Sequence, residues 1–195
     1  MGSPSITKTG PREHGSRMGS DSEAALSVTT RGDMAKHKVM ITGHRPHKLG
    51  GYGENPTRSK IEKRLKKLLK KLKKNHTKKL VVISGMALGV DQWWASIALD
   101  LEIDVDAYIP FKGQESRWPE RAQKHYRDLL KRCRKVKVSC TGGYAGWKMQ
   151  RRNEDMVAAA DACVAVWDGS KSGTGNCVAH IHTKGKPLKI INPND

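Results

Sequence analysis

The stretch VVISGMALGVDQWW, residues 81–94, runs apolar, turns on two glycines, and then sets Asp91 ahead of Trp93 and Trp94. It reads as a strand from Leu80 to Ile83, a tight turn, and a helix opening near Ala87. At such a junction free backbone N–H groups point outward and the helix dipole favours anions. Gly85 and Gly89 carry no Cβ, so backbone or ligand can approach them closely. An ordinary strand-to-helix turn has the same signature, and the surrounding chain must decide between the two.

Outward from this stretch, strand and helix patterns alternate. Upstream lies the short apolar strand KVMITG (38–43), then a loop dense in Gly and Pro, then a long basic helix. Downstream, Trp94, Ile97, Ala98 and Leu101 share one face of the helix over 87–101. Strand VDAYIPF (105–111) follows, with the amphipathic helix WPERAQKHYRDLLKRC behind it, where Pro119 is tolerated in the first turn. Strand KVKVSC (135–140), helix 148–162, strand CVAVWDG (163–169), helix 174–185 and strand PLKIIN (187–192) complete the series. Six strands separated by five helices predict a single α/β domain, a three-layer sandwich with a mostly parallel sheet. Right-handed crossovers place helices on both faces.

The chain has 195 residues, enough for one domain with a real core, yet only 36% are hydrophobic and 29% are charged. Residues 1–36 are rich in Ser, Gly, Thr and charge and lack apolar periodicity, so they are expected to form a disordered or artificially added tail ahead of a domain over 37–195. No apolar run approaches the ~20 residues of a membrane span. Cys133, Cys140, Cys163 and Cys177 form no C-x-x-C pair and sit in or beside apolar segments, which suits buried free thiols and a cytoplasmic location. His180 and His182 diverge on a helix, so no metal site is expected there, and no cofactor is expected anywhere.

Net charge is +18, and much of it lies in RSKIEKRLKKLLKKLKKNHTKK, residues 58–79, whose one acid is Glu62. Ile61, Leu65, Leu68, Leu69 and Leu72 give this helix a single apolar stripe. Its basic face is read either as a solvated outer surface or as an electrostatic footprint for nucleic acid, with Lys66, Lys67, Lys70 and Lys71 at its centre. A membrane-surface role is disfavoured, because the adjoining strand wants the stripe for its own cover.

In open parallel sheets ligands sit outside the carboxyl ends of the strands, near the switch in strand order. That rule gathers five loops: TGHRPHKLGGYG, SGMALGVD, PFKGQESRWPE, CTGGYAGWKMQRRN and WDGSKSGTGN. In the last, Ser172, Gly173, Thr174 and Gly175 open a helix whose free N–H groups suit a phosphate, with Thr174 as a capping candidate and Lys171 adding charge. A capped helix in a Gly-rich turn reads the same way. Neither the G-x-x-x-x-G-K-[ST] order nor the G-x-G-x-x-G spacing occurs in it.

The blocks VMITGHRP, VVISGMALGVDQWWASIAL and QRRNEDMVAAADACVAVWDGSKSGTGNCVAHIHTKGKPLKI resemble the signature blocks of the SLOG superfamily, which joins DprA (Smf) to the LONELY GUY phosphoribohydrolases. The likeness spans residues 38–192 and is nearest to the small phage and bacterial YspA/YpsA-like branch. It implies a Rossmann-like sheet, a homo-oligomer, and a pocket for a small phosphorylated nucleoside. The residues it places there are Thr42, Gly43, Arg45, Ser84, Gly85, Gly89, Asn153, Asp168, Ser172, Gly173, Thr174 and Asn176, with Arg152 and Asp91 as catalytic candidates. Arg45 and Arg152 would meet phosphate, and Asp91 or Asp168 the ribose hydroxyls. Alignment with LONELY GUY enzymes puts their catalytic arginine at Arg152, their lysine at Asn153 and their catalytic glutamate at Cys177, beside Asn176. No carboxylate remains at the glutamate position, and Asp91, Glu115 and Asp168 are the candidates for its relocation. The sequence is similar to DprA in having Ser-Gly before Thr174 and the Arg152-Asn153 pair, which implies a single-stranded nucleic-acid binder without catalysis as the alternative. Stacking aromatics are sparse for that role: Tyr52, Trp118, Tyr144 and Trp147.

Overall fold

The structure is a computed structural model and describes Gly2 and residues 36–76 and 79–195. Apart from Gly2 and Lys36, the expected tail over 1–36 lies outside the described residues. The elements run β1 (His37–Gly43), α1 (Pro56–Asn75), β2 (Leu80–Ser84), α2 (Val90–Asp100), β3 (Asp104–Ile109), α3 (Glu120–Arg132), β4 (Lys135–Val138), α4 (Gly146–Ala159), β5 (Ala162–Val166), α5 (Gly173–Thr183) and β6 (Leu188–Ile191). A short 3-10 turn at Pro46–Lys48 interrupts the first loop.

All neighbouring strands pair parallel, in the order β4-β3-β2-β1-β5-β6. Alternation along each strand builds two cores. Val39 and Ile41 of β1, Val82 of β2 and Val164 and Val166 of β5 face α1, α2 and α3. Met40, Ile83 and Cys163 face α4 and α5 on the other side. The expected three-layer α/β sandwich is therefore present, with a sheet parallel throughout.

Helix α1 starts where Asn55 accepts a hydrogen bond from Arg58 N at 2.9 Å and Pro56 takes the first helical position. Its stripe is buried: Ile61, Leu65 and Leu69 are sealed, and Leu68 and Leu72 pack at the margin. Full burial of each such side chain stabilises by roughly 1.5–3 kcal/mol. That stripe covers the sheet, and Lys66, Lys67, Lys70 and Lys71 lie on the exposed face.

Helix α2 opens at Val90 rather than near Ala87. Met86 at φ 56° and Gly89 at φ 97° hold the intervening turn in left-handed backbone, so helical geometry cannot begin before it. Strands β3, β4 and β5 also end two to three residues earlier than their apolar runs suggest, because the carboxyl ends peel into the loops. Of the cysteines, Cys163 and Cys177 are buried and Cys133 and Cys140 only half-buried; all four are free. Strand β4 is an edge, and Val136 and Val138 stand exposed on it.

Candidate functional site

From β1 the chain proceeds outward through β2, β3 and β4, then returns to β1's other side as β5 and continues to β6. The order therefore reverses between β1 and β5, and the crevice above their carboxyl ends is where such sheets bind ligands. There His44 N donates to Val166 O at 3.2 Å. The His44 side chain, only 2% exposed, places Nε2 2.7 Å from Asp168 Oδ1. The carboxylate also accepts from Ser170 N at 2.9 Å. Hydrogen bonds from Ser170, with His44 adding to them, hold the Asp168 carboxyl well below the usual carboxylate range. An ionised carboxylate only accepts, so the short contact requires the proton on Nε2 of His44, and the longer 3.3 Å approach of Asp168 N to that nitrogen is then not a hydrogen bond.

The loop then turns into α5. Ser172 is its cap, with extended backbone and its hydroxyl accepting from Gly175 N at 3.1 Å. The capping role considered for Thr174 is thus filled by Ser172; Thr174 sits inside the first turn and is buried. Helical geometry leaves the Gly173 and Thr174 amides without intrahelical acceptors. Asn176 is exposed one position ahead of the buried Cys177. Burial pushes the Cys177 thiol up to about 11, against a hydrogen bond with the buried Thr42.

Behind this crevice the second loop is wired to α4. Arg152 Nη1 donates to Gly85 O and lies 3.7 Å from Asp91 Oδ2; its Nε donates to Asn153 Oδ1 at 3.0 Å. Ser84 Oγ donates to Asp91 O at 2.7 Å and accepts from Met86 N at 3.1 Å. A Cβ on Gly85 would collide with the Arg152 guanidinium, and one on Gly43 would come within 2.6 Å of Val90. Burial raises the Asp91 pKa, opposed by Arg152 and Arg45, and the same burial lowers that of Arg152.

A cleft of about 600 Å³ opens on the same edge, lined by Arg45, Lys112 and Arg117 and by the rings of Phe111, Trp118 and Tyr144. Tyr144 is 68% exposed. Phe111 meets it edge-on at 6.1 Å, and the Arg117 guanidinium lies 6.0 Å from its centroid. Lys148, which sequence reasoning passed over, donates from Nζ to Thr141 O and to Gly143 O at 2.6 Å and so shapes the loop bearing Tyr144. His44, Lys112 and Arg117 were missed as well, although all three lie within the gathered loops. The residues expected at the pocket therefore cluster on one edge of the sheet. Arg152, Asp91, Ser84 and Thr42 lie beneath its surface, while Arg45, Asp168 and Gly173 are accessible.

Among the described residues no group of three or more His, Cys, Asp or Glu side chains could hold a metal. No helix among them is long and apolar enough to cross a membrane.

The sequence pattern of the YspA SLOG family matches residues 39–193, from within β1 to beyond β6. The chain belongs to the YspA SLOG family. It is similar to the uncharacterized SPbeta prophage-derived protein YoqJ of Bacillus subtilis, 36% identical over an alignment of 143 positions that covers 64% of this chain and 82% of YoqJ. In fold this YspA SLOG chain is similar to DNA processing protein A (DprA) from Streptococcus pneumoniae, with a TM-score of 0.59 at 16% identity over 82% of this chain. It spans about half of that protein, 51%. DprA from Helicobacter pylori, whose structure concerns its single-stranded DNA binding mode, gives a TM-score of 0.57 at 20% identity over 80% of this chain and 65% of that one.

Proposed function

We infer that this YspA SLOG protein binds a small phosphorylated nucleoside, or a signal derived from one, at the carboxyl edge of its sheet. The observation that carries the reading is the cleft in which Arg45, Lys112 and Arg117 share walls with Phe111, Trp118 and Tyr144. Cations beside aromatic rings, of which Tyr144 is the exposed one, suit a phosphate joined to a flat base. Arg45 and the Gly173 and Thr174 amides would take phosphate oxygens, as helix openings do. Asp168, acceptor-only and oriented by His44, would take ribose hydroxyls. Arg152 and Asp91 form the floor that fixes both loops. Binding is favoured over hydrolysis, because the position aligned with the LONELY GUY glutamate holds the neutral, buried thiol of Cys177.

The test is thermal unfolding with nucleoside monophosphates. Ligand at about 100 times its Kd stabilises by ~2.7 kcal/mol, a Tm rise of several degrees. Arg45→Gln should remove most of that rise. If no monophosphate moves the wild-type Tm, the reading fails.

A second reading rests on the exposed lysines of α1. Lys66, Lys67, Lys70 and Lys71 enter no ion pair among the described residues, so they are available to phosphates of a nucleic-acid strand. Such binding would be nonspecific and steeply salt-dependent.

A further inference from the structure

A second cavity, about 640 Å³, lies on the opposite side of the first loop, between the opening turns of α1, α2 and α3. It shares no lining residue with the carboxyl-edge cleft. The first and second loops close on each other at its edge: Gly89 lines this cavity, and a Cβ there would come within 3.0 Å of both His44 O and Pro46 Cδ.

Its wall is apolar where Leu88, Trp93 and Pro119 meet, and its size falls in the range of small-molecule sites. Two features narrow the occupant. Arg58 also lines the cavity, its guanidinium bonded to Glu62 at 2.8 Å and lying over the Trp93 ring, 5.3 Å from the centroid. A guanidinium fixed beside a ring in this way is a surface on which a planar group can stack. On the rim, Arg121 and His125 stand one helical turn apart on α3, both exposed and neither paired with a carboxylate among the described residues. The one acid in the lining, Glu54, is likewise unpaired among them; with Arg58 already held by Glu62, Arg121 is the cation left at the rim, and His125 adds a hydrogen-bond donor beside it. The α3 side of the rim is therefore the part that suits an anionic group.

We propose that this cavity is a second ligand site for a small anion with a planar aromatic body, which stacks on Arg58 and sets its anionic group between Arg121 and His125. The cavity stands on the same loops as the cleft lined by Arg45 and Tyr144 but shares no lining residue with it, so the proposal does not depend on what that cleft takes.

The test uses 1-naphthyl phosphate as probe, followed by its own fluorescence, on the full chain. The expected result is saturable binding that weakens at least tenfold in Arg121→Gln/His125→Gln and persists in Arg45→Gln. Glu54→Gln should tighten it. Because Arg121 and His125 are exposed, the double variant should keep the wild-type Tm, which is measured alongside. Binding unchanged in the double variant, or equal binding of neutral 1-naphthol, overturns the proposal. Binding lost in Arg45→Gln but kept in the double variant also overturns it, and assigns the probe to the carboxyl edge, leaving the nucleotide reading intact.

Discussion

Arg152 Nη1 stands 3.7 Å from Asp91 Oδ2, with both side chains more than nine-tenths buried. The pair ties α4 to the first turn of α2, and each charge is sheltered from water only because the other is present. Removing one partner of such a pair costs about 3–5 kcal/mol, whereas replacing both with apolar groups can be nearly neutral. Arg152→Met and Asp91→Leu are each expected to destabilise strongly in urea unfolding. The double variant should lose clearly less than the sum of the two. An additive result would mean that the charges do not couple.

Asp168 gives the protein a pH signature. Its folded-state pKa is depressed, chiefly by hydrogen bonds from Ser170 and further by His44. Its contribution to stability is therefore complete above the unfolded carboxylate value, about 3.9, and is lost as pH falls below it. Asp168→Asn should flatten the acid limb of a stability-against-pH curve and leave the neutral region with a smaller slope change. An unaltered acid limb would show that the carboxylate is not held ionised by its neighbours.

The lysines of α1 separate the two modes of binding. Replacing Lys66, Lys67, Lys70 and Lys71 by Gln should weaken any affinity for single-stranded DNA and lower its salt dependence, by up to about three units of log–log slope. Nucleotide-induced shifts in Tm should be unaffected. Loss of both together would indicate one shared basic surface.

Hydrolysis of the common nucleoside monophosphates to base and ribose phosphate should be slow or absent, since Cys177 is buried and its thiol titrates only at about 11. Base release measured in wild type and in Asp91→Asn checks this. Fast turnover untouched by that substitution would direct attention to Glu115 or Asp168.

The fold was legible because its signals are local. Ile61, Leu65 and Leu69 recur at helical spacing and are sealed in the core, and Val39 and Ile41 alternate with Met40 as a strand between two layers demands. The position of β1 between β2 and β5 has no local signal, since strand order depends on contacts between distant segments. The candidate site divides in the same way. Glycines, Thr174 and Arg152 stood out from loop composition and family likeness. His44 did not, because a lone histidine in a loop has no spacing to betray it and its partner Asp168 lies 124 residues away. Lys148 donates to carbonyls, Thr141 O and Gly143 O, and backbone acceptors carry no side-chain pattern. The turn at Met86 delayed α2 because left-handed backbone at a non-glycine residue is rare enough that propensity argues against it.

The fit of Arg152 against Gly85 constrains the order in which descendants of this chain can change. Any side chain at Gly85 strikes the guanidinium, so a change at Gly85 requires the buried Arg152 side chain to move from its place against Asp91. Arg152 cannot be lost first without stranding the Asp91 carboxylate in the interior, and Asp91 cannot go first without stranding the guanidinium. No single-step path leads out of this triplet through intermediates of full stability. Lineages should therefore either keep all three residues or have exchanged them as a set.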